Sequence, residues 1–201
     1  SGDPAVAQIA QNHLAILNIT DLDGTPEQKR RIFDWALQGL RFGNAFSEAH
    51  GKTVGDFQTR VTFEGGDAVV SGEKFYTTGA LLSHVVPIVA IGDDGAYLVF
   101  AERELPGITI TNNWSAFGQR TTASGSVRLE NVRVPRERAV KLRDEAAAPS
   151  VQGPVSQIIQ AAIDAGIARN AIADTISFLR TKSRPWIDSG QDRASDDPYT
   201  I

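Results

Sequence analysis

In the first twenty positions Val6, Ile9, Ala10, Leu14 and Leu17, with His13 among them, recur near a 3.6-residue period, which predicts a helix. Asp21-Leu22-Asp23-Gly24 breaks it. Thr25-Pro26-Glu27-Gln28 then opens a second helix, with threonine as N-cap, proline at the first helical position and acidic or amide side chains in the first turn. Ile32, Phe33, Trp35, Ala36, Leu37 and Leu40 supply its apolar face. From about Arg41 to Pro135 the period changes to two. Residues 57–64 and 67–76 alternate around the hairpin signal Glu64-Gly65-Gly66-Asp67. Residues 85–91 and 96–101 flank Gly92-Asp93-Asp94-Gly95, and 108–112 and 126–134 bring the total to six or seven strands. Short antiparallel strands at this spacing predict a small barrel or sandwich. Residues 139–152, charged and then containing alanine and proline, read as a linker. Beyond Pro154 the helical period returns through Val155, Ile158, Ile159, Ala162, Ile163, Gly166 and Ile167 to Leu179, predicting a helix to about Lys182. Arg184-Pro185 stops it, and Asp188 to Tyr199 reads as a polar loop.

Composition narrows the picture by exclusion. The 201 residues are 41% hydrophobic and 22% charged, ordinary for a folded chain, and the net charge of −4 argues against a nucleic-acid partner. No apolar run approaches the ~18 residues of a membrane span, and no signal-peptide pattern opens the chain. Cysteine is absent, which removes disulfides, thiolate catalysis and cysteine-ligated metals, and fits a cytoplasmic location. His13, His50 and His84 lack ligand spacing, so no metal site is expected. Methionine is absent even at position 1, and the chain opens within a helical pattern and ends without a stop signal. An internal piece of a longer protein is the expectation.

Neither a Gly-x-Gly-x-x-Gly turn after a strand nor a phosphate-binding loop of the Walker type is present. Three short polar segments stand out instead. They are Arg41-Phe42-Gly43-Asn44-Ala45-Phe46-Ser47-Glu48, Ser71-Gly72-Glu73-Lys74-Phe75-Tyr76-Thr77-Thr78-Gly79-Ala80, and Trp114-Ser115-Ala116-Phe117-Gly118-Gln119-Arg120-Thr121-Thr122-Ala123-Ser124-Gly125. In this order and spacing they resemble the middle domain of the acyl-CoA dehydrogenase superfamily. Within it the likeness is to the flavin-dependent monooxygenase branch, of the dibenzothiophene monooxygenase and sulfur-acquisition types. Trp-x-x-Phe-Gly-Gln-Arg carries that likeness most strongly.

The resemblance implies an α+β, acyl-CoA dehydrogenase-like fold. Residues 1–40 would end an N-terminal helical domain, 41–137 would form a central antiparallel β-barrel-like flavin domain, 138–153 a linker, and 154–201 the start of a C-terminal helical bundle. It further implies that Asn44, Phe46, Ser47, Tyr76, Thr77, Thr78, Trp114 and Arg120 contact the flavin. Asn44 and Ser47 would serve the ring's carbonyl and N5 side, Tyr76 its face, Thr78 N5, and Arg120 a phosphate or a neighbouring carboxylate. His13 and Thr78 would be catalytic, stabilising a flavin peroxide. From the residues alone, plainer readings stand beside these: Asn44 capping a turn, Thr77-Thr78-Gly79 as an ordinary strand end, Trp114 as core, His13 as a half-buried structural residue.

On this resemblance the protein is a flavin-dependent oxidoreductase, a monooxygenase. Reduced FMN from a separate flavin reductase would react with O2 to a C4a-hydroperoxyflavin that oxygenates a small or aromatic organosulfur compound, in a homotetramer. One alternative is an FAD-dependent acyl-CoA dehydrogenase. Against it, the usual Thr-Glu-Pro-Gly-x-Gly-Ser-Asp is replaced by Ser47-Glu48-Ala49-His50-Gly51-Lys52-Thr53-Val54-Gly55-Asp56. Another alternative is a non-catalytic module that binds flavin or another ligand.

Overall fold

The computed structural model describes residues 3–53, 55–144 and 151–198. Val54, residues 145–150 of the expected linker, and Tyr199 lie outside the described residues. Helix α1 (Pro4–Asp23) starts where the Asp3 carboxylate accepts from the Ala5 N–H, and α2 (Pro26–Leu37) starts with a capping box between Thr25 and Gln28. Gln28 does more than cap. Its Nε2 donates to the carbonyls of Glu137 and Ala139, at 3.1 and 3.0 Å, and so pins α2 to the sheet. Thr25→Ala removes one N-cap acceptor and is expected to cost about 1 kcal/mol, read as a shift of the thermal unfolding midpoint. The buried face of α1 is Ala5, Gln11, Ile16, Ile19 and Thr20, whereas Val6 and Leu14 of the apolar pattern are exposed.

The strands are β1 (Arg60–Glu64), β2 (Asp67–Lys74), β3 (Val85–Gly92), β4 (Gly95–Glu102), β5 (Ile108–Thr111), β6 (Ser126–Pro135) and β7 (Ala139–Lys141). They form one sheet in the order β5-β6-β2-β1-β3-β4-β7. Gly65-Gly66 makes the two-residue β1–β2 turn, with Gly65 at φ +61 as that turn requires. The structure differs from the expected barrel and from the expected linker. The sheet is open: β5 and β7 are its two edges, and among the described residues no pairing closes it into a barrel. Residues 139–141, read as linker, form β7 on β4, where Ala139 and Val140 are buried. The charged residues around that pair hid its apolar character.

The sheet's two faces bury separate cores. One joins Val61, Val70, Ile88, Val99, Leu129 and Val134 within the curl of the sheet. The other lays Val85, Val89, Leu98 and Phe100 against Ile16, Ile19 and Ile32 of the helices. β3 is therefore buried on both sides from Val85 to Ala90, which explains its unbroken apolar run. Residues 42–45 continue the line of β1 beside β3 through parallel bridges, Phe42 to Val85 and Ala45 to Ile88. That places the first polar segment next to the second. Helix α3 (Gln152–Thr181) meets α1 where Gln11 Nε2 donates to the Ser156 carbonyl, and Ile158, Ile172 and Phe178 along it stay exposed.

Candidate functional site

Beyond the end of β2 the chain stops following strand geometry. Tyr76 adopts a left-handed backbone, φ 55, which resets the alternation of side chains. Thr77 then turns inward, and both its N–H and its Oγ1 donate to the Gly125 carbonyl, at 3.1 and 2.9 Å. The Gly79 N–H donates to the Thr122 carbonyl. These bonds strap residues 77–79 to 122–125. A side chain on Gly125 has no room, because its Cβ would lie 2.1 Å from the Thr111 carbonyl oxygen. Gly125→Ala should force that strap apart and lower stability by about 1–3 kcal/mol, measured by denaturant unfolding.

The strap floors an open groove of about 310 Å³ lined by Gln8, Tyr76, Thr78, Trp114, Gly118, Gln119, Thr122 and Ser124. Its chemistry is uniform. Hydroxyls and amides lie beside aromatic rings, and no side chain among these carries a charge. Tyr76 and Trp114 meet edge to face at 5.9 Å, and Phe75 packs on Tyr76 at 4.6 Å. The Trp114 indole donates to the Gln119 carbonyl, at 3.1 Å. Thr78, Ser124 and Thr122 join through their hydroxyls, at 2.9 and 2.7 Å. Among the described residues, three of the four non-glycine positions with left-handed backbone are here: Tyr76, Gln119 and Ala123, the last between two lining residues. Such conformations cost ordinary residues about 1–2 kcal/mol each, and strain of this kind gathers at functional sites.

Of the residues singled out by sequence, Tyr76, Thr78 and Trp114 converge on this groove. Thr77 is a buried strut under it. Arg120 is exposed on the short helical turn Arg120–Thr122 beside it. Asn44 and His13 form a neighbouring cluster where residues 42–46 meet α1. Asn44 Nδ2 donates to Asn12 Oδ1 and its Oδ1 accepts from the Phe46 N–H, each at 3.2 Å, so it does cap a turn. His13 is half-buried, stacks at 5.1 Å on Phe42, and its Nδ1 accepts from the Phe42 N–H at 3.2 Å. Because Nδ1 accepts, the neutral ring carries its proton on Nε2, and burial lowers the pKa of the ring. Phe46 packs into the helix-side core and Ser47 is exposed, its carbonyl taken by the Phe75 N–H.

A pair not singled out by the sequence reading ties these segments together. Lys74 Nζ, fully buried, donates to Glu48 Oε1 at 2.7 Å and to the Phe46 carbonyl at 3.0 Å. Glu48 also accepts the N–H groups of Gln58 and Thr59. Burial pushes the Glu48 carboxyl up, but the hydrogen bonds from Lys74, Gln58 and Thr59 prevail and hold it at about 2. Ser124, Thr122, Gln8 and Gln119 were likewise missed as site residues. All but Gln8 stood in the quoted Trp114–Gly125 segment, where their hydroxyls and amide were the available signal.

No family model matches the chain. It is 29% identical over 216 residues to dibenzothiophene monooxygenase of Rhodococcus erythropolis, covering 100% of this chain and 52% of the relative. It is 27% identical over 205 residues to a probable FMNH2-dependent monooxygenase, SfnC, of Pseudomonas putida, covering 99% and 50%. The chain thus spans about half the length of the curated relatives it matches. Its fold is shared with FMN-bound TdsC from Paenibacillus sp. A11-2, TM-score 0.84 at 24% identity, over 98% of this chain and 53% of that one. It is shared also with a glutaryl-CoA dehydrogenase from Mycobacterium smegmatis, TM-score 0.76 at 21% identity, over 92% and 47%. The likeness to flavin-dependent monooxygenases read from the three polar segments agrees with the names of these relatives, and the fold is shared with an acyl-CoA dehydrogenase.

Proposed function

We propose that the protein is a reduced-FMN-dependent monooxygenase that oxygenates an organosulfur compound, with residues 41–137 as its flavin-binding unit between helical residues 1–40 and 154–201. One observation carries the reading. The groove built by the second and third polar segments is uncharged, hydroxyl-floored and aromatic-walled, which suits a flat heteroaromatic ring. Relatives over the whole chain are named as monooxygenases, one of them FMNH2-dependent. Bound reduced flavin would supply the two electrons and two hydrogens by which O2 gives one oxygen atom to sulfur and the other to water.

The chain's own residues supply the setting. Tyr76 and Trp114 would hold the ring, with Thr78 on the polar edge. Arg120, beside the groove, would take the phosphate, which a guanidinium binds through paired N–H groups. Asn44 and Ser47, on the neighbouring segment, would serve the ring's carbonyl side. His13 would offer its Nε2–H to the negative charge that develops on oxygen. A flavin reductase is the partner the reading requires, and FAD in a dehydrogenase is the alternative it displaces. Anaerobic titration of the complete protein with reduced FMN tests this directly. Binding with one flavin per chain is expected, and Tyr76→Ala should weaken it about tenfold, the worth of one good aromatic contact. Absence of binding, or binding untouched by the loss of Tyr76, would contradict the assignment of the groove.

A further inference from the structure

A second cleft lies at the opposite end of β2 from the groove. It measures about 500 Å³, opens between the first turns of α2, the β1–β2 turn and the corner joining β6 to β7, and shares no lining residue with the groove. The eight residues of β2, roughly 25 Å of strand, stand between the two. The floor of the cleft is aromatic, with Phe63 meeting Tyr97 edge to face at 5.0 Å. The Arg136 guanidinium lies over the Phe63 ring, 4.3 Å from its centroid. The backbone fixes that residue in turn, because the Arg136 N–H donates to the Gly66 carbonyl at 2.8 Å.

Most polar groups around this floor are committed. Gln28 gives its amide hydrogens to the carbonyls of Glu137 and Ala139, and its oxygen accepts from the Thr25 N–H. Tyr97 donates to Asp94 at 2.7 Å, and Arg31 pairs with Glu137 at 2.9 Å. Arg136 is different. Among the described residues no carboxylate pairs with it, and its side-chain N–H groups meet no protein acceptor. The Thr25 hydroxyl accepts from the Gln28 N–H and keeps its own hydrogen to give. Glu27 is the one lining carboxylate outside an ion pair, and it sits in the first turn of α2, where the helix's positive end offsets its charge.

We propose that this cleft is an accessory binding site for a small aromatic oxyanion, a carboxylate or sulfonate carried on a ring, with Arg136 as its anchor. A guanidinium presents paired N–H groups in a planar fork that matches such an anion, and Phe63 holds the fork in one orientation before the ligand arrives. A carboxylate gripped through that edge keeps its ring near the guanidinium plane, which lays the ring along the aromatic floor. The inference is independent of what the groove holds.

Titration of the complete protein with benzoate and with benzenesulfonate, followed by ligand-observed NMR, tests the assignment. Both should bind more tightly than cyclohexanecarboxylate, which has the charge without the flat ring, and than benzyl alcohol, which has the ring without the charge. Arg136→Gln should weaken both about tenfold, the worth of a charge-assisted hydrogen bond, and Arg136→Lys should recover only part, since an ammonium lacks the fork. Glu27→Gln removes a like charge and should tighten binding. Two controls should leave it unchanged: Arg133→Gln, whose arginine is already paired with Glu64, and Tyr76→Ala in the groove. All four positions are exposed, so the variants keep the fold, and thermal unfolding midpoints check that they do. Absence of binding, binding untouched by Arg136→Gln, weaker binding in Glu27→Gln, or loss of binding in Tyr76→Ala would overturn the inference.

Discussion

Lys74→Met is expected to lower the stability of the protein by roughly 3–5 kcal/mol, the usual cost of stripping one partner from a buried ion pair. The ammonium of Lys74 is 0% exposed and the side chain of Glu48 6%. Without Lys74 the carboxylate loses its countercharge while keeping the N–H groups of Gln58 and Thr59, and the Phe46 carbonyl loses the Lys74 donor. A folded domain has about 5–15 kcal/mol in hand, so this single change consumes a large share. Adding Glu48→Gln should recover part of the loss, since it removes the buried unpaired charge; Gln58 and Thr59 donate to different carboxylate oxygens, so the single amide oxygen keeps one of those two bonds. Denaturant unfolding of the two single variants and the double variant isolates the coupling. The pH dependence has a definite sign. The Glu48 carboxyl, ordinarily near 4.5, is held at about 2 in the fold. Its contribution is therefore complete above pH 4.5 and is lost as pH falls from 4.5 towards 2, a window that Glu48→Gln should flatten. The consequence reaches the site. Lys74 is two residues before Tyr76, and its bonds fix the 46–48 segment against the end of β2.

His13→Asn should lower the oxygenated product formed per flavin oxidised by about 10²-fold, with hydrogen peroxide in its place, while leaving stability nearly unchanged. Asparagine can still accept the Phe42 N–H at the position of Nδ1 but has nothing at Nε2. His13→Gln reverses the split, since its longer amide can replace the outer donor and leaves the Phe42 N–H unsatisfied. It should retain more of the coupling and lose more stability. Equal stability losses in both, with coupling intact, would make His13 a structural residue. Burial lowers the His13 pKa below its ordinary 6.5, so stability linked to this ring is present above pH 6.5 and is lost as pH falls through the lowered value. Protonation would place a hydrogen on Nδ1, against the Phe42 N–H.

Local signals carried most of the secondary structure. Thr25-Pro26-Glu27-Gln28 forms the expected helix start, and the 85–91 run is a strand buried on both faces. The closure of the sheet was not legible, because alternation says which side a residue faces and not which strands meet. Within the site, Thr78 and Trp114 stood in motifs, but their partners are contacts of tertiary structure. Ser124 meets Thr78 across 46 positions, and Lys74 meets Glu48 across 26. The inward turn of Thr77 was hidden for a sharper reason. The left-handed Tyr76 breaks the period of two at the point where the reading depended on it. Phe46 was read as a flavin contact on the strength of its motif, and the fold seats its ring in the helix-side core.

The central claim is oxygen transfer from O2 to sulfur at a groove that holds reduced FMN. Its most direct test is turnover of the complete protein with reduced FMN, ¹⁸O2 and a set of aromatic and alkyl sulfur compounds beginning with dibenzothiophene, followed by mass spectrometry of the product. Incorporation of a single ¹⁸O atom at sulfur, lost in His13→Asn, is the predicted result. Oxidation of the flavin with all label recovered as hydrogen peroxide, or reduction of bound FAD by an acyl-CoA in its place, would contradict it.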